Sequence, residues 1–484
     1  MGKKKAKRVE ARTLKGCNDF FSKEVIRRRS MIRIMEGVFE KYGFSPLETP
    51  ALEYLDTLLG TGGENTNKEL FRLESPEGDE IALRFDLTVP FARMLAQYPD
   101  RIKTPFRRYA IGPSWRADKP GIGRFRQFIQ CDVDVAGAAT VAVDAEIIAV
   151  LAETMSALCS IPFAVLINNR KIIDALLEDC GIKEMEKHKH ILRVIDKLAK
   201  VGTENVRLEL GAGRIDDSGD PIPGVHLEAE VIERILAFIA IPSVSREATV
   251  EALAEALNDT PLAREALKEM RDLAGALDVL GVSQEHARFD PSLARGLDYY
   301  TGPVYEVVLP GVEGFGSVGG GGRYDGLVTR FAPQGIPCTG GSIGLDRLLA
   351  ALEHVDAAPE ARVPVQALVV TMGNVPLAET LRVAAELRAA GINTECFFAS
   401  KKKMQMGNQL SHADHYEIPT AVIIGEDEIA QGVVSVKDLM EGKSAREDID
   451  DRDEYRQAGK TGQVTVQGSE MVQTVQDFLS RHEA

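Results

Sequence analysis

From Arg124 to Asp134 the chain alternates like a β-strand with one apolar and one strongly polar face, and this narrows the folds open to it. Strand side chains point to opposite faces with a period of two. Arg124, Arg126, Phe128, Gln130, Asp132 and Asp134 therefore share one surface. A sheet face bearing cations, a ring, an amide and carboxylates has to meet solvent or a polar ligand. A ladder of structural salt bridges is the plainer alternative. The block starts at Trp115-Arg116-Ala117-Asp118, whose end also reads as strand, and Lys119 to Gly123 reads as the flexible loop between.

A second block, Ser292-Leu293-Ala294-Arg295-Gly296-Leu297-Asp298-Tyr299-Tyr300-Thr301-Gly302, sets a cation, a carboxylate and two phenols beside glycines. It runs into Val304-Tyr305-Glu306-Val307-Val308, which alternates like a strand. An arginine on a rigid strand grips a carboxylate or phosphate at two points. Phenol hydroxyls both donate and accept. Such a cluster suits a small zwitterion that carries a polar ring.

Two glycine-rich blocks follow. In Gly340-Gly341-Ser342-Ile343-Gly344-Leu345-Asp346-Arg347 the glycines permit close backbone approach, and Arg347 falls in the first turn of a helix. Ser317-Val318-Gly319-Gly320-Gly321-Gly322-Arg323-Tyr324-Asp325 invites a nucleotide-loop reading. It lacks both the Lys-Ser/Thr ending of a P-loop and the strand–helix setting of a dinucleotide fingerprint, so those readings fail.

Length and charge set the outer limits. At 484 residues the chain can hold two to four domains with substantial cores. No run approaches the roughly 20 apolar residues of a membrane span. The basic start, Met1 to Arg8, lacks the apolar segment of a secretory signal and reads as a solvated leader, with an RNA-contacting arm as the sharper alternative. Cys17, Cys131, Cys159, Cys180, Cys338 and Cys396 are scattered, which supports neither a zinc site nor a disulfide framework. Reduced thiols in a cytosol are the expectation. His188 and His190 lie in a Lys-rich helix and read as surface residues rather than metal ligands. The net charge of −15 argues against generic nucleic-acid binding. Basic clusters at Arg27-Arg28-Arg29, Arg107-Arg108 and Lys401-Lys402-Lys403 still leave room for one selected RNA.

Along the chain, Met31, Ile34, Met35, Val38 and Phe39 mark a helix over residues 22–42, stopped by Gly43. Strands are expected at residues 80–85, 106–112 and 125–135, then an apolar helix at 144–158. Residues 170–280 are helical and charged and look like an insertion, broken at Gly211-Ala212-Gly213 and Pro221-Ile222-Pro223-Gly224. Strands return at 304–309 and 341–343, with a helix at 345–354. Beyond a linker, strands at 365–371, 394–398, 421–424 and 433–436 alternate with helices, which implies an α/β domain with a partly parallel sheet.

Taken in order, these blocks resemble the class II histidyl-tRNA synthetases. Residues 292–302 and 317–327 resemble the two histidine-specific motifs. The long helix followed by Phe44 to Pro50 is similar to motif 1, residues 115–134 to motif 2, and residues 340–348 to motif 3. Arg84-Phe85-Asp86-Leu87-Thr88 resembles the segment that binds the substrate's α-ammonium. Departures are small. Ile129 replaces a common histidine at a position expected to point away from the binding face, and Cys17-Asn18 replaces a Thr-Arg-like pair. Arg84-Phe85-Asp86 looks more like the eukaryotic and archaeal version of its segment.

The resemblance implies an α+β catalytic domain with an antiparallel sheet, a helical insertion and a C-terminal α/β anticodon-binding domain. Its expected layout is a leader at 1–12, catalytic parts at 13–169 and 281–356, the insertion at 170–280, a linker at 357–363 and the anticodon-binding domain at 364–484. It implies ligation of L-histidine to tRNA(His) through an adenylate, with ATP as substrate, Mg2+ on the phosphates and no protein-bound metal. A homodimer in the cytoplasm and no membrane association complete the expectation. Arg116, Arg295 and Arg347 would be catalytic. Asp86, Thr88, Gln130, Asp134, Arg295, Tyr299 and Tyr300 would bind histidine, with Asp134 and Tyr300 bracketing the imidazole nitrogens. Arg116, Asp118, Arg124, Phe128 and Arg347 would bind ATP. The alternative is a histidine-sensing regulatory subunit of ATP phosphoribosyltransferase; such paralogues typically lack the C-terminal domain and have degraded catalytic motifs.

Overall fold

A computed structural model describes residues 9–60, 68–216, 219–294, 299–360, 363–400, 404–444 and 461–482. The chain divides into two compact units, one of residues 1–20 and 28–359 and the other of 21–27 and 360–484.

The larger unit is built on an eight-stranded sheet. Its strands are β1 (Ser45–Pro46), β5 (Phe106–Trp115), β6 (Gln127–Ala136), β7 (Ala164–Asn169), β10 (Ala287–Phe289), β11 (Pro303–Val308), β12 (Gly319–Arg323) and β13 (Cys338–Gly344). The spatial order is β1-β5-β6-β13-β12-β11-β7-β10. Only the edge pairs β1/β5 and β7/β10 are parallel; the six strands between are antiparallel. The remaining strands of this unit form two small sheets. One joins β2 (Leu52–Tyr54), β3 (Arg72–Glu74) and β4 (Glu80–Leu83), and the other joins β8 (Gly213–Ile215) and β9 (Pro221–Pro223).

Strand β6 divides the unit into core and site. Cys131, Val133 and Val135 point back into the main core, with Ile129 packed at its margin. Against that face lie the apolar helix Ala142–Leu158 and, from helix Ser22–Lys41, the buried residues Met31, Met35, Val38 and Phe39. The even-numbered residues of β6 point forward. Gln130 and Asp132 have small neighbours across the ladders, Gly112 and Ala110 on β5 and Gly344 and Ser342 on β13, while Asp134 stands between Arg108 and Gly340. The small neighbours leave room above Gln130 and Asp132, and a cavity lined by all three forward side chains forms over the sheet.

Residues 170–280 fold as successive helices whose apolar faces join the main core through Ile172, Ile191, Leu253 and Leu273. Local chemistry sets their ends. Ser245 caps helix Arg246–Ala256 by accepting from Ala248 N–H at 3.1 Å. Thr260 does the same for Pro261–Val279, with Pro261 at the first helical position.

In the smaller unit the strands are β14 (Ala367–Met372), β15 (Thr394–Cys396), β16 (Thr420–Gly425), β17 (Val433–Asp438) and β18 (Gln463–Gln467). Their order is β15-β14-β16-β17-β18, the first two pairs parallel and the last two antiparallel.

Several sequence expectations need correction. Strand β6 begins at Gln127, so alternation does not reach Arg126, whose guanidinium donates to the carbonyls of Asp118 and Lys15 instead. His188 is buried rather than on the surface, held between Asp174 at 3.2 Å and the Ile182 carbonyl at 2.9 Å. The glycines and prolines of 211–224 do not merely interrupt helices; they fold as the β8–β9 hairpin. Two basic clusters are tied into the fold. Arg28 pairs with Asp346, Arg107 with Glu146 and Arg108 with Asp134. Lys401 to Lys403 lie outside the described residues. All six cysteines are free thiols.

Candidate active site

Above the forward face of β6 lies a cavity of roughly 400 Å³. Asp86, Thr88, Arg116, Asp118, Arg124, Gln130, Asp134, Tyr299, Tyr300 and Arg347 line it. An adjoining cleft shares Arg116, Asp118, Arg124, Gln130 and Arg347 and adds Phe128. The residues expected from the sequence thus converge on one continuous space, except Arg295, which lies outside the described residues.

One end is cationic and aromatic. The Arg116 guanidinium lies 5.2 Å from the Phe128 ring centre, and its Nε donates to the Phe85 carbonyl at 3.1 Å. Arg347 sits in the first turn of helix Leu345–His354 and donates to the Ser317 carbonyl at 2.8 Å and the Gly123 carbonyl at 3.3 Å. Backbone acceptors hold both planar cations in place, which leaves a flat slot beside Phe128 and positive charge at its rim. Glu69 and Asp118 share that rim. Burial, then a hydrogen bond that protonated Glu69 donates to Asp118 and the Asp118 charge, push the Glu69 carboxyl up to about 7 against the pull of Arg116 and Arg124.

The other end is a buried carboxylate pocket. Asp86 lies at the head of helix Thr88–Gln97 and accepts from Val89 N–H at 3.0 Å, so it caps that helix as well as facing the cavity. Burial lifts its carboxyl to about 6. Asp134 holds Arg108 at 2.6 Å through one oxygen and the Tyr324 hydroxyl at 2.5 Å through the other. Burial raises its pKa too, while Arg108 and Tyr324 pull it down. Tyr299 stands edge-on to Tyr300 at 4.9 Å and to Tyr324 at 6.0 Å, forming an aromatic wall. The glycines are required by this packing. A Cβ on Gly322 would meet the Tyr300 ring at 2.7 Å, and one on Gly340 would collide with the Asp134 carboxylate.

Sequence reasoning assigned no role to Glu69, Asp132, Asp196, Glu306, Tyr324 or Ser342, all of which reach the cavity wall. Asp132 and Glu306 each left a trace, as acidic residues on alternating strands. Glu69 left none, because it belongs to no patterned segment, and Asp196 closes the Lys-rich helix, which read as a surface element. Among the described residues no group of three or more His, Cys, Asp or Glu is placed to hold a metal ion. Chemically, the arrangement can seat a planar base and its phosphates at one end and a small cationic amine with a polar ring at the other.

Comparison with known proteins finds two family matches along the chain. The family described as histidyl-tRNA synthetase matches residues 16–348, and that described as anticodon binding domain matches residues 366–476. A histidine–tRNA ligase from Cereibacter sphaeroides is 40% identical over 99% of this chain and 100% of its own length. One from Paracoccus denitrificans is 43% identical over 91% of this chain and 92% of its own. The crystal structure of a histidyl-tRNA synthetase from Nostoc sp. superposes with a TM-score of 0.78 at 30% identity, covering 97% of this chain and 100% of that one.

Proposed function

The chain belongs to the histidyl-tRNA synthetase family, and from that premise we propose how its pocket performs the reaction. It is a class II synthetase with an anticodon-binding domain, and it ligates L-histidine to tRNA(His) with ATP through a histidyl-adenylate. The observation that carries the site assignment is that the cleft holding Arg116, Phe128 and Arg347 adjoins the cavity holding Asp86, Asp134 and Tyr300 and shares Arg116, Gln130 and Arg347 with it.

The adenine ring lies against Phe128, and Arg116 and Arg347 hold the phosphates, with Asp118 and Arg124 completing the nucleotide end. Histidine lies with its carboxylate toward Arg116 and Gln130, its ammonium toward Asp86 and Thr88, and its ring toward Asp134, Tyr299 and Tyr300. The carboxylate oxygen attacks the α-phosphorus and pyrophosphate leaves. A terminal ribose hydroxyl of the tRNA then attacks the acyl carbon, and AMP leaves. Negative charge grows on the α-phosphate and on each leaving group, so fixed cations carry the catalysis. We assign that work to Arg116, Arg347 and Arg295. No strong base is needed for the first step, because the attacking carboxylate is ionised at neutral pH. Mg2+ would be held by the ATP phosphates and would neutralise their charge.

We assign residues 13–169 and 281–356 to the catalytic domain, 170–280 to the insertion and 364–484 to anticodon binding. Pairing into a homodimer is supported by the β2–β4–β3 sheet, which leaves Leu52, Tyr54 and Leu73 exposed on one face. No helix among the described residues is long and apolar enough to cross a membrane, and we place the reaction in the cytoplasm.

The test is ATP–pyrophosphate exchange with each of the twenty amino acids, alongside Arg116→Ala and Arg295→Ala. Exchange with histidine alone, abolished in both variants, is the expected result. Histidine binding without exchange in the unmodified chain would instead favour the histidine-sensing regulatory role.

A further inference from the structure

Of the three acidic side chains at the amino-acid end, Asp132 is the one with no assigned role. Asp134 Oδ2 and Asp132 Oδ1 both lack a hydrogen-bond donor, but only the former lies against a cation, Arg108 at 2.6 Å. Asp132 is 2% exposed and projects from the middle of the cavity floor, between Gln130 and Asp134. Same-face neighbours on a strand are about 7 Å apart, so Asp132 lies one such step from each. One of its oxygens faces the Ser342 hydroxyl on β13; the other, Oδ1, has no hydrogen-bond partner among the described residues. A buried acceptor without a donor is costly, and a buried carboxylate more so. An oxygen kept in that condition on a cavity floor calls for a donor brought by the ligand.

Position and charge identify the donor. Asp134 is already committed to Arg108 and Tyr324 at the ring end. Arg116 lies toward the phosphate end, where the amino acid's carboxylate is drawn. The α-carbon falls between, over Asp132. An ammonium has three N–H donors. Asp86 and Thr88 supply acceptors for two of them, and the free oxygen of Asp132 supplies the third. Resting on the histidine-ligase reading above, we propose that Asp132 is a substrate-binding residue that takes the α-ammonium of histidine together with Asp86 and Thr88.

The surrounding charges fit this role. Asp132 is faced by Arg108 from β5, by Gln130 and Asp134 from its own strand, by Ser342 from β13, and by Asp86 and Arg84 from the segment leading into helix Thr88–Gln97. Across the cavity stand Arg116, Glu306 and Asp196. Burial lifts the Asp132 carboxyl to about 7, with Asp134 and Asp86 adding to the rise and Arg108 and Ser342 opposing it. Burial and the neighbouring carboxylates thus favour the protonated form of Asp132 in the empty pocket. An arriving ammonium favours the ionised form, so binding releases a proton to solvent.

The experiment is isothermal titration of the full chain and of Asp132→Asn with three probes. These are L-histidine, histidinol, which keeps the amine and lacks the carboxylate, and 3-(imidazol-4-yl)propanoate, which keeps the carboxylate and lacks the amine. Asp132→Asn should weaken histidine and histidinol by about ten- to a hundredfold, the loss of one charge-assisted hydrogen bond. It should leave the amine-free probe and ATP within about twofold. Titrations at pH 7 in buffers of different protonation enthalpy should show proton release on histidine binding that shrinks in the variant. Equal weakening of all three probes would reduce Asp132 to a structural role, and unchanged histidine binding or unchanged proton release would overturn the proposal. Absence of histidine-dependent exchange in the unmodified chain would instead remove the ligase reading itself.

Discussion

Replacing Asp144 with alanine should destabilise the larger unit by about 3–5 kcal/mol, the range for removing one partner of a buried ion pair. Asp144 projects from the first turn of helix Ala142–Leu158 and is fully buried. Its Oδ2 accepts from Arg323 Nη2 at 2.5 Å and Nε at 3.1 Å, and its Oδ1 accepts from the Thr339 hydroxyl at 2.6 Å. Thr339 is in turn 2.7 Å from the Tyr305 hydroxyl, so the network ties β11, β12 and β13 to one helix. The shifts of the two ions differ in what they imply. Burial lifts the Asp144 carboxyl to about 6 although Arg323 opposes it. Burial also pulls the Arg323 guanidinium down, yet Asp144 more than offsets that and leaves it above its ordinary value. The arginine is the better guide to pairing strength, because its two short contacts converge on one oxygen. Without Asp144 the guanidinium keeps only the carbonyls of Ala138 and Thr140 and a longer contact to Asp325 at 3.4 Å. Trp115 is the sole tryptophan and lies in this unit, so its fluorescence during urea unfolding reads the right transition. Asp144→Ala combined with Arg323→Met should recover at least about half of the loss, since neither charge is then stranded. A single-variant loss below about 1 kcal/mol, or losses that simply add in the double variant, would refute the reasoning.

Three further outcomes are expected. Phe128→Ala should raise the KM for ATP about tenfold, in line with one lost aromatic stack, and leave the KM for histidine near its starting value; steady-state exchange kinetics separate the two. Gly340→Ala should drive a methyl into the Asp134 carboxylate, and a histidine KM that stays within about twofold would show that the ring end tolerates the shift. The third concerns pH. Asp86 and Asp132 have folded-state values of about 6 and about 7, above the ordinary carboxylate range, so the folded form binds their protons more tightly than the unfolded form. Their stabilising contribution is full below about pH 4 and is lost as pH rises through 6 and 7. The ligand-free urea midpoint should therefore fall from pH 5 to pH 8, less steeply in Asp132→Asn, and parallel curves would contradict the assignment.

Arg108 shows where sequence reading stops. In the sequence it stands beside Arg107 as part of a basic pair, and basic pairs suggest RNA. Strand β5 turns the two residues to opposite faces. Arg107 reaches Glu146, while Arg108 is 1% exposed, 2.6 Å from Asp134 and 4.5 Å from the centre of the Phe91 ring. The polar face of β6 could be read from alternation because each side chain's direction is a local property of a strand. Its counter-ion could not, because pairing across β5 and β6 depends on register. The same limit hid Asp144, whose partner lies 179 positions away, and His188, which a Lys-rich helix disguised as a surface residue. It also explains the two glycine blocks. Their richness in glycine was plain, but the reason for Gly340 is the Asp134 carboxylate on the neighbouring strand. Asp86, Asp132 and Asp134 can share one cavity only if fixed cations stand by them. Arg108 serves Asp132 and Asp134 and Arg116 serves Asp86, yet burial still raises all three carboxyls, so the floor stays short of positive charge until an ammonium arrives. A pocket left incomplete in this way selects for a zwitterion, because a ligand without the amine leaves the deficit in place.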